Sequence, residues 1–206
     1  LTPSAPAKAQ TSGCSVTVTN AADAGAGTLR QAMLDVPTGG TICFDTGADF
    51  SAPQTITLAS SLSITKSLTI SGTGVDNLVV SGANSVRVLN VSAGANAELR
   101  NLTIRDGRVN ESTGGGIISS GALTLTSVNV LSNTAGTLAG ALGCGIYVTG
   151  DLTMNGGRID GNRAGYGAGL YVFSGKTTLI DMGIYSNTVT NGGGGLYSKS
   201  PVTATN

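Results

Sequence analysis

The sequence predicts an all-β solenoid, a parallel β-helix with a short N-terminal capping helix. Three observations lead there: a recurring Gly-rich signature, a second apolar–Asn signature at fixed offsets behind it, and period-2 alternation inside each unit. The first signature reads Gly114-Gly115-Gly116-Ile117, Gly143-Cys144-Gly145-Ile146-Tyr147, Gly167-Ala168-Gly169-Leu170-Tyr171 and Gly193-Gly194-Gly195-Leu196-Tyr197. Its apolar residues are spaced by 29, 24 and 26 positions. The second repeats as Leu125/Val130/Asn133, Met154/Ile159/Asn162 and Leu179/Ile184/Asn187. Fixed offsets within units and variable lengths between them mean that segments stack while loops absorb insertions. Leu123-Thr124-Leu125 and Leu152-Thr153-Met154 alternate apolar and polar residues, the mark of a strand with one buried face. Units this small cannot bury that face alone, so they must stack, about 4.8 Å apart, with like residues above like.

In chain order, residues 1–13 read as a Pro/Ala/Ser/Thr-rich tail or spacer, although Ala7-Lys8-Ala9 has the small-x-small form of a signal-peptidase site. Residues 14–54 form a cap. Its helical signal is Thr28-Leu29-Arg30-Gln31-Ala32-Met33-Leu34, expected to lie over the first coil, because a solenoid must cover its terminal core. Cys14 and Cys43 flank this segment and are the disulfide candidate, while Cys144 stays unpaired and is expected to be buried. Residues 55–206 form the coils, six or seven in all, beginning with strand-like runs at 67–70, 78–80, 86–89 and 102–104. The closing run Pro201 to Asn206 starts a strand in the position of Leu123 and stops, so the last coil reads as incomplete. That implies either a longer solenoid or a neighbouring subunit pairing with the open end.

Two columns of residues have structural readings. Gly116, Gly145, Gly169 and Gly195 form a ladder where a Cβ would not fit. Asn133, Asn162 and Asn187 form a second ladder, with amides bonding from coil to coil and the left-handed backbone that Asn tolerates. Tyr147, Tyr171 and Tyr197 follow the apolar positions and should stack as an exposed row. Thr69, Thr103, Thr124, Thr153, Thr178 and Thr203 should line one outer face, as Thr suits an exposed strand.

Composition narrows the function. Eleven basic and eleven acidic residues are scattered, so the basic patch that binds nucleic acid is missing. The charge-free stretch from Ser112 to Gly150 is broken every few residues by Gly, Ser, Thr and Asn, and does not read as a transmembrane segment. Without His or an Asp-x-Asp loop, no metal site is expected, and Gly114-Gly115-Gly116 lacks the Lys-Ser/Thr of a phosphate loop. No cofactor is implied. The best candidate for chemistry is Asp106 with Asp160, two coils and about 10 Å apart, beside Arg105, Arg108 and Arg163. This cluster is also what a solvated, ion-paired turn looks like. The reading is therefore not an enzyme, with Asp106, Asp160, Arg105 and Arg163 kept as candidate carbohydrate contacts.

Gly27-Thr28-Leu29-Arg30-Gln31-Ala32-Met33, Gly40-Thr41-Ile42-Cys43-Phe44-Asp45 and Thr55-Ile56-Thr57-Leu58 together resemble the N-terminal cap of bacterial secreted β-helix proteins. The Gly-Gly-Gly-Ile and Ser132-Asn133-Thr134-Ala135 units resemble polymorphic outer membrane protein repeats, within the broad pectin-lyase-like fold. The resemblance implies a right-handed parallel β-helix exported to the cell surface, serving as an adhesin or passenger domain. It carries over no catalytic residue. The expected function is an extracellular structural or adhesive surface protein that self-associates end to end into filaments. A carbohydrate-binding or carbohydrate-active β-helix in contact with surface glycans is the alternative.

Overall fold

The computed structural model describes residues 13–110, 113–136 and 142–206. The spacer assigned to residues 1–13, apart from Gly13, and part of the charge-free stretch lie outside them. The chain is a parallel β-solenoid of about seven turns. Its longest sheet stacks Val16–Val18, Thr41–Phe44, Leu68–Ser71, Asn96–Arg105, Ala122–Leu131, Leu152–Asp160, Thr177–Ile180 and Val202–Thr205. A second sheet runs from Leu62–Ile64 to Leu196–Ser198, and a short third one from Arg108–Val109 to Thr188–Val189. All the pairings are parallel, coil on coil.

Register follows the sequence signatures. Leu125 pairs with Met154, and Met154 with Leu179. Val130, Ile159 and Ile184 align likewise, as do Ile117, Ile146, Leu170 and Leu196. These columns fill one continuous apolar interior that reaches from Val18 to Leu179. Burial of such side chains, worth about 1.5–3 kcal/mol each, is the main stabilising term.

The long strands bend at a column of left-handed residues that sequence reading missed. Asn101, Ser127, Gly156 and Asp181 have φ of 53°, 50°, 68° and 47°. Each directly follows a set of aligned residues, Arg100, Thr126, Asn155 and Ile180. A second such column, Asp106, Ser132, Gly161 and Ser186, ends the long sheet. The Asn residues were expected to hold this conformation. It falls instead on the residue before each, which turns the chain and leaves the Asn side chain directed inward.

Two boundaries also differ from expectation. The strand expected at 86–89 begins at Leu89 and runs to Val91, because the Val86 N–H bonds back to Gly82 in a turn. The strand expected at 102–104 is the second half of Asn96–Arg105.

At the N-terminal end, the helix Leu29–Asp35 starts at Thr28, whose hydroxyl accepts from the Gln31 N–H at 3.2 Å. Leu29, Ala32 and Met33 enter the core. Arg30 donates to the Ser60 and Ser61 carbonyls, and the Lys66 ammonium to that of Leu34, so the helix is pinned beside the first strand of the second sheet. Cys14 and Cys43 form a disulfide linking the segments before the helix and after it. Residues 14–54 thus supply a helix and also the first two strands of the long sheet.

Candidate functional site

Asp106 and Asp160 lie two coils apart and one residue out of register. Asp160 aligns with Leu131, and Leu131 with Arg105, so Asp106 sits one residue further along the coil. Asp106 lies in the left-handed column, with its carboxylate 2.6 Å from Arg105 Nε, while Asp160 faces Arg158 at 4.0 Å. Arg163 belongs to the third sheet, aligned with Thr134 and Arg108. Asp106 and Asp160 are each faced by a nearby arginine of the long sheet, and Arg163 lies in a different sheet. The two acids are thus nearly equivalent, offset by one residue, with Asp106 at the bend and Asp160 in the strand before it.

The Asn and Gly columns are one device. Asn133 Nδ2 donates to Asn162 Oδ1, and Asn162 Nδ2 to Asn187 Oδ1, each at 2.9 Å. The backbone N–H of Asn133 and of Asn162 donates to the same next-coil oxygen. Gly107 begins the ladder, its N–H donating to Asn133 Oδ1 at 2.8 Å. Asn133 and Asn162 are fully buried. The glycines are needed because of this packing: a Cβ on Gly145 would lie 2.4 Å from the Gly169 carbonyl oxygen and 3.0 Å from the Asn162 amide. Gly116 and Gly169 meet the same obstruction, whereas Gly195 meets only Ile184, at 3.1 Å. Every polar group of the ladder interior serves structure.

Cys144 lies beside this ladder. It is fully buried and unpaired, its sulfur accepting from the Ala135 N–H and its thiol facing the Arg163 carbonyl. Burial pushes the thiol up to about 12, so it stays protonated and unreactive at neutral pH.

The tyrosines stack as expected, with ring centroids 5.4 Å apart for Tyr147–Tyr171 and 4.9 Å for Tyr171–Tyr197. The row is not exposed throughout, however. Tyr171 retains only 3% of its surface, since a ring covers each of its faces and Lys199 lies across the edge of the group beside Phe173. Rings stacked along the solenoid axis satisfy one another.

The outer face of the long sheet carries an interruption in its threonine row. Its first outward column reads Thr41, Thr69, Glu98, Thr124, Thr153, Thr178, Thr203. Thr103, expected in this row, is instead buried at the back of the bend, its hydroxyl donating to the Val75 carbonyl at 2.7 Å. Glu98 takes the vacated place. In the neighbouring column Arg100 stands between Ser71 and Thr126. Arg100 Nε donates to Glu98 Oε1 at 2.8 Å, and the Thr69 hydroxyl approaches Glu98 Oε2 at 3.4 Å. Two open grooves flank the pair. One, of about 510 Å³, is lined by Thr41, Thr69, Ser71, Thr73 and Arg100 with the Cys14–Cys43 disulfide. The other, of about 540 Å³, is lined by Thr69, Asn96, Glu98 and Thr124. The signal that could have located Glu98 was available: Leu99, Ile104 and Gly107 repeat the offsets of Leu125, Val130 and Asn133, with Gly in place of Asn.

Among the described residues, no three His, Cys, Asp or Glu side chains converge as metal ligands, and no helix is long and apolar enough to cross a membrane. Comparison with protein-family models, curated proteins and solved structures returned no match.

Proposed function

We propose that this chain is an extracellular structural or adhesive element whose work is mechanical: a stiff rod that presents side-chain rows at fixed spacing. The observation that carries this reading is the unbroken vertical register of the long sheet from Val16–Val18 to Val202–Thr205. Eight stacked strands give a column about 34 Å tall, bound by ladders along its axis. The disulfide is compatible with an oxidising, extracellular setting. Kinship with bacterial exported β-helix passengers rests on the cap segments, the Gly-rich units and Ser132-Asn133-Thr134-Ala135, and belongs to the same proposal.

Self-association is part of the reading. The strand Val202–Thr205 is paired on one edge only, and Leu196 and Tyr197 on the same coil are each 36% exposed. An edge of this kind is a template for a strand from a second copy. Electron microscopy and sedimentation over a concentration series test the idea. End-to-end particles that disappear in an Ala204→Pro variant are the expected result; monomers at every concentration would contradict it.

A further inference from the structure

Building on the adhesive reading, we infer that the outer face around Glu98 and Arg100 is a binding site for a neutral oligosaccharide. The first argument is what the fold does not require. Six coils place Thr in the column that Glu98 occupies, so a half-exposed strand position is satisfied here by a β-branched hydroxyl residue. The Glu98–Arg100 ion pair, with side chains 30% and 48% exposed, adds little stability, since exposed pairs contribute about 0–1 kcal/mol. Stability therefore does not account for replacing hydroxyls by this pair at one level of the column.

The second argument is the shape and chemistry of the surroundings. The two grooves adjoin at Thr69, one bordered by Arg100 and the other by Glu98, and their linings form a trough of residues from Thr41 to Thr124. Its walls carry several hydroxyls, with apolar patches at the disulfide and Phe44 and at Leu68, Ala97 and Ala122. In the first groove the Thr73 hydroxyl is shielded from solvent and has no hydrogen-bond partner in the protein. A carboxylate and a guanidinium, each with spare acceptor or donor capacity beyond their mutual bond, can bracket adjacent hydroxyls of one ligand. Because the two charges compensate, the trough favours a ligand with no net charge. The backbone groups of these strands are engaged in the inter-coil ladders, which leaves no main-chain partners for an extended peptide on this face. A polyhydroxylated chain with C–H faces fits the combination, and length along the trough favours an oligomer over a single sugar.

The test is an amide-shift NMR titration of the whole chain with cellohexaose, mannohexaose and chitohexaose, and with hyaluronan hexasaccharide as an acidic probe. Binding of at least one neutral hexasaccharide is expected, with shifts centred on Thr69, Ser71, Thr73, Glu98 and Arg100. A Glu98→Thr/Arg100→Thr double variant places at both positions the residue found on the adjacent coil, Thr124 and Thr126, so it should fold normally and bind at least tenfold more weakly. Three results would each overturn the inference: no shift at millimolar probe, binding only of the acidic probe, or undiminished binding by the double variant. Rods and filaments seen by microscopy are independent of these two residues, so a failed titration with intact rods would remove the site and leave the structural reading standing.

Discussion

The two ends of the second sheet treat the same core column differently. Ile117, Ile146 and Leu170 are fully buried, and the next member, Leu196, is 36% exposed. At the opposite end Leu62, although it begins its sheet, is only 2% exposed, because the helix Leu29–Asp35 is pinned beside it. A stacked neighbour buries one side of each member, and at Leu62 a lid of different architecture buries the other. The interior coils are held by vertical repetition, whereas the N-terminal ones are held by a helix, a disulfide and arginine-to-carbonyl bonds.

If that division is right, damage should be greatest where repetition carries the load. Asn162→Ala removes the central amide, which donates to the Val130 and Asp160 carbonyls and to Asn187, and leaves the Asn133 N–H and side-chain amide without their acceptor. The expected loss is roughly 3–5 kcal/mol, read as a lowered denaturant midpoint. Loss near zero would mean the ladder is decorative. Opening the Cys14–Cys43 bridge, as a Cys14→Ser/Cys43→Ser double variant, should cost about 3 kcal/mol, and hydrogen exchange should place the loosening at the first coils rather than at the Asn ladder.

Sequence reading captured the stacked apolar columns, the capping helix and the disulfide, and missed the bend positions and Glu98, for a physical reason. Leu125, Met154 and Leu179 announced their alignment because a stacked column selects the same class of residue at each level. The bend column escaped notice because Asn101, Ser127, Gly156 and Asp181 share only tolerance of positive φ, a property four different side chains can meet. Glu98 escaped because it breaks the threonine row, and Thr103, a residue of the expected type, drew the row past the bend at Asn101, five residues too far along the strand. The Asn ladder was visible in the sequence, but not that it dictates the glycines by filling the space a Cβ would need.

Smaller effects sharpen the same contrast. Thr177 lies in the core column between Leu152 and Val202, fully buried, with its hydroxyl lacking a partner. Thr177→Val should therefore stabilise the penultimate coil by about 1 kcal/mol, measurable as a raised Tm. Cys144 gives the smallest effect. Its folded-state value near 12 stands above the ordinary 9.0, so the folded chain holds the proton more tightly. That contribution is present below pH 9 and is lost progressively as pH rises between the two values. Cys144→Ala should flatten this part of the stability profile; an unchanged slope would place the thiol in a wetter setting than the buried one described.

The account stands on coils lying one above another at constant spacing, and a distance along the threonine row tests that directly. Thr41 and Thr203 are 162 residues apart in sequence and six levels apart in the column, which sets them about 29 Å from each other. Nitroxide labels at these two positions, read by pulsed electron spin resonance, should give one narrow distribution near that separation. Moving the first label to Thr69 should shorten it by about 5 Å. A broad distribution, or no shortening on that move, would contradict the stacked column.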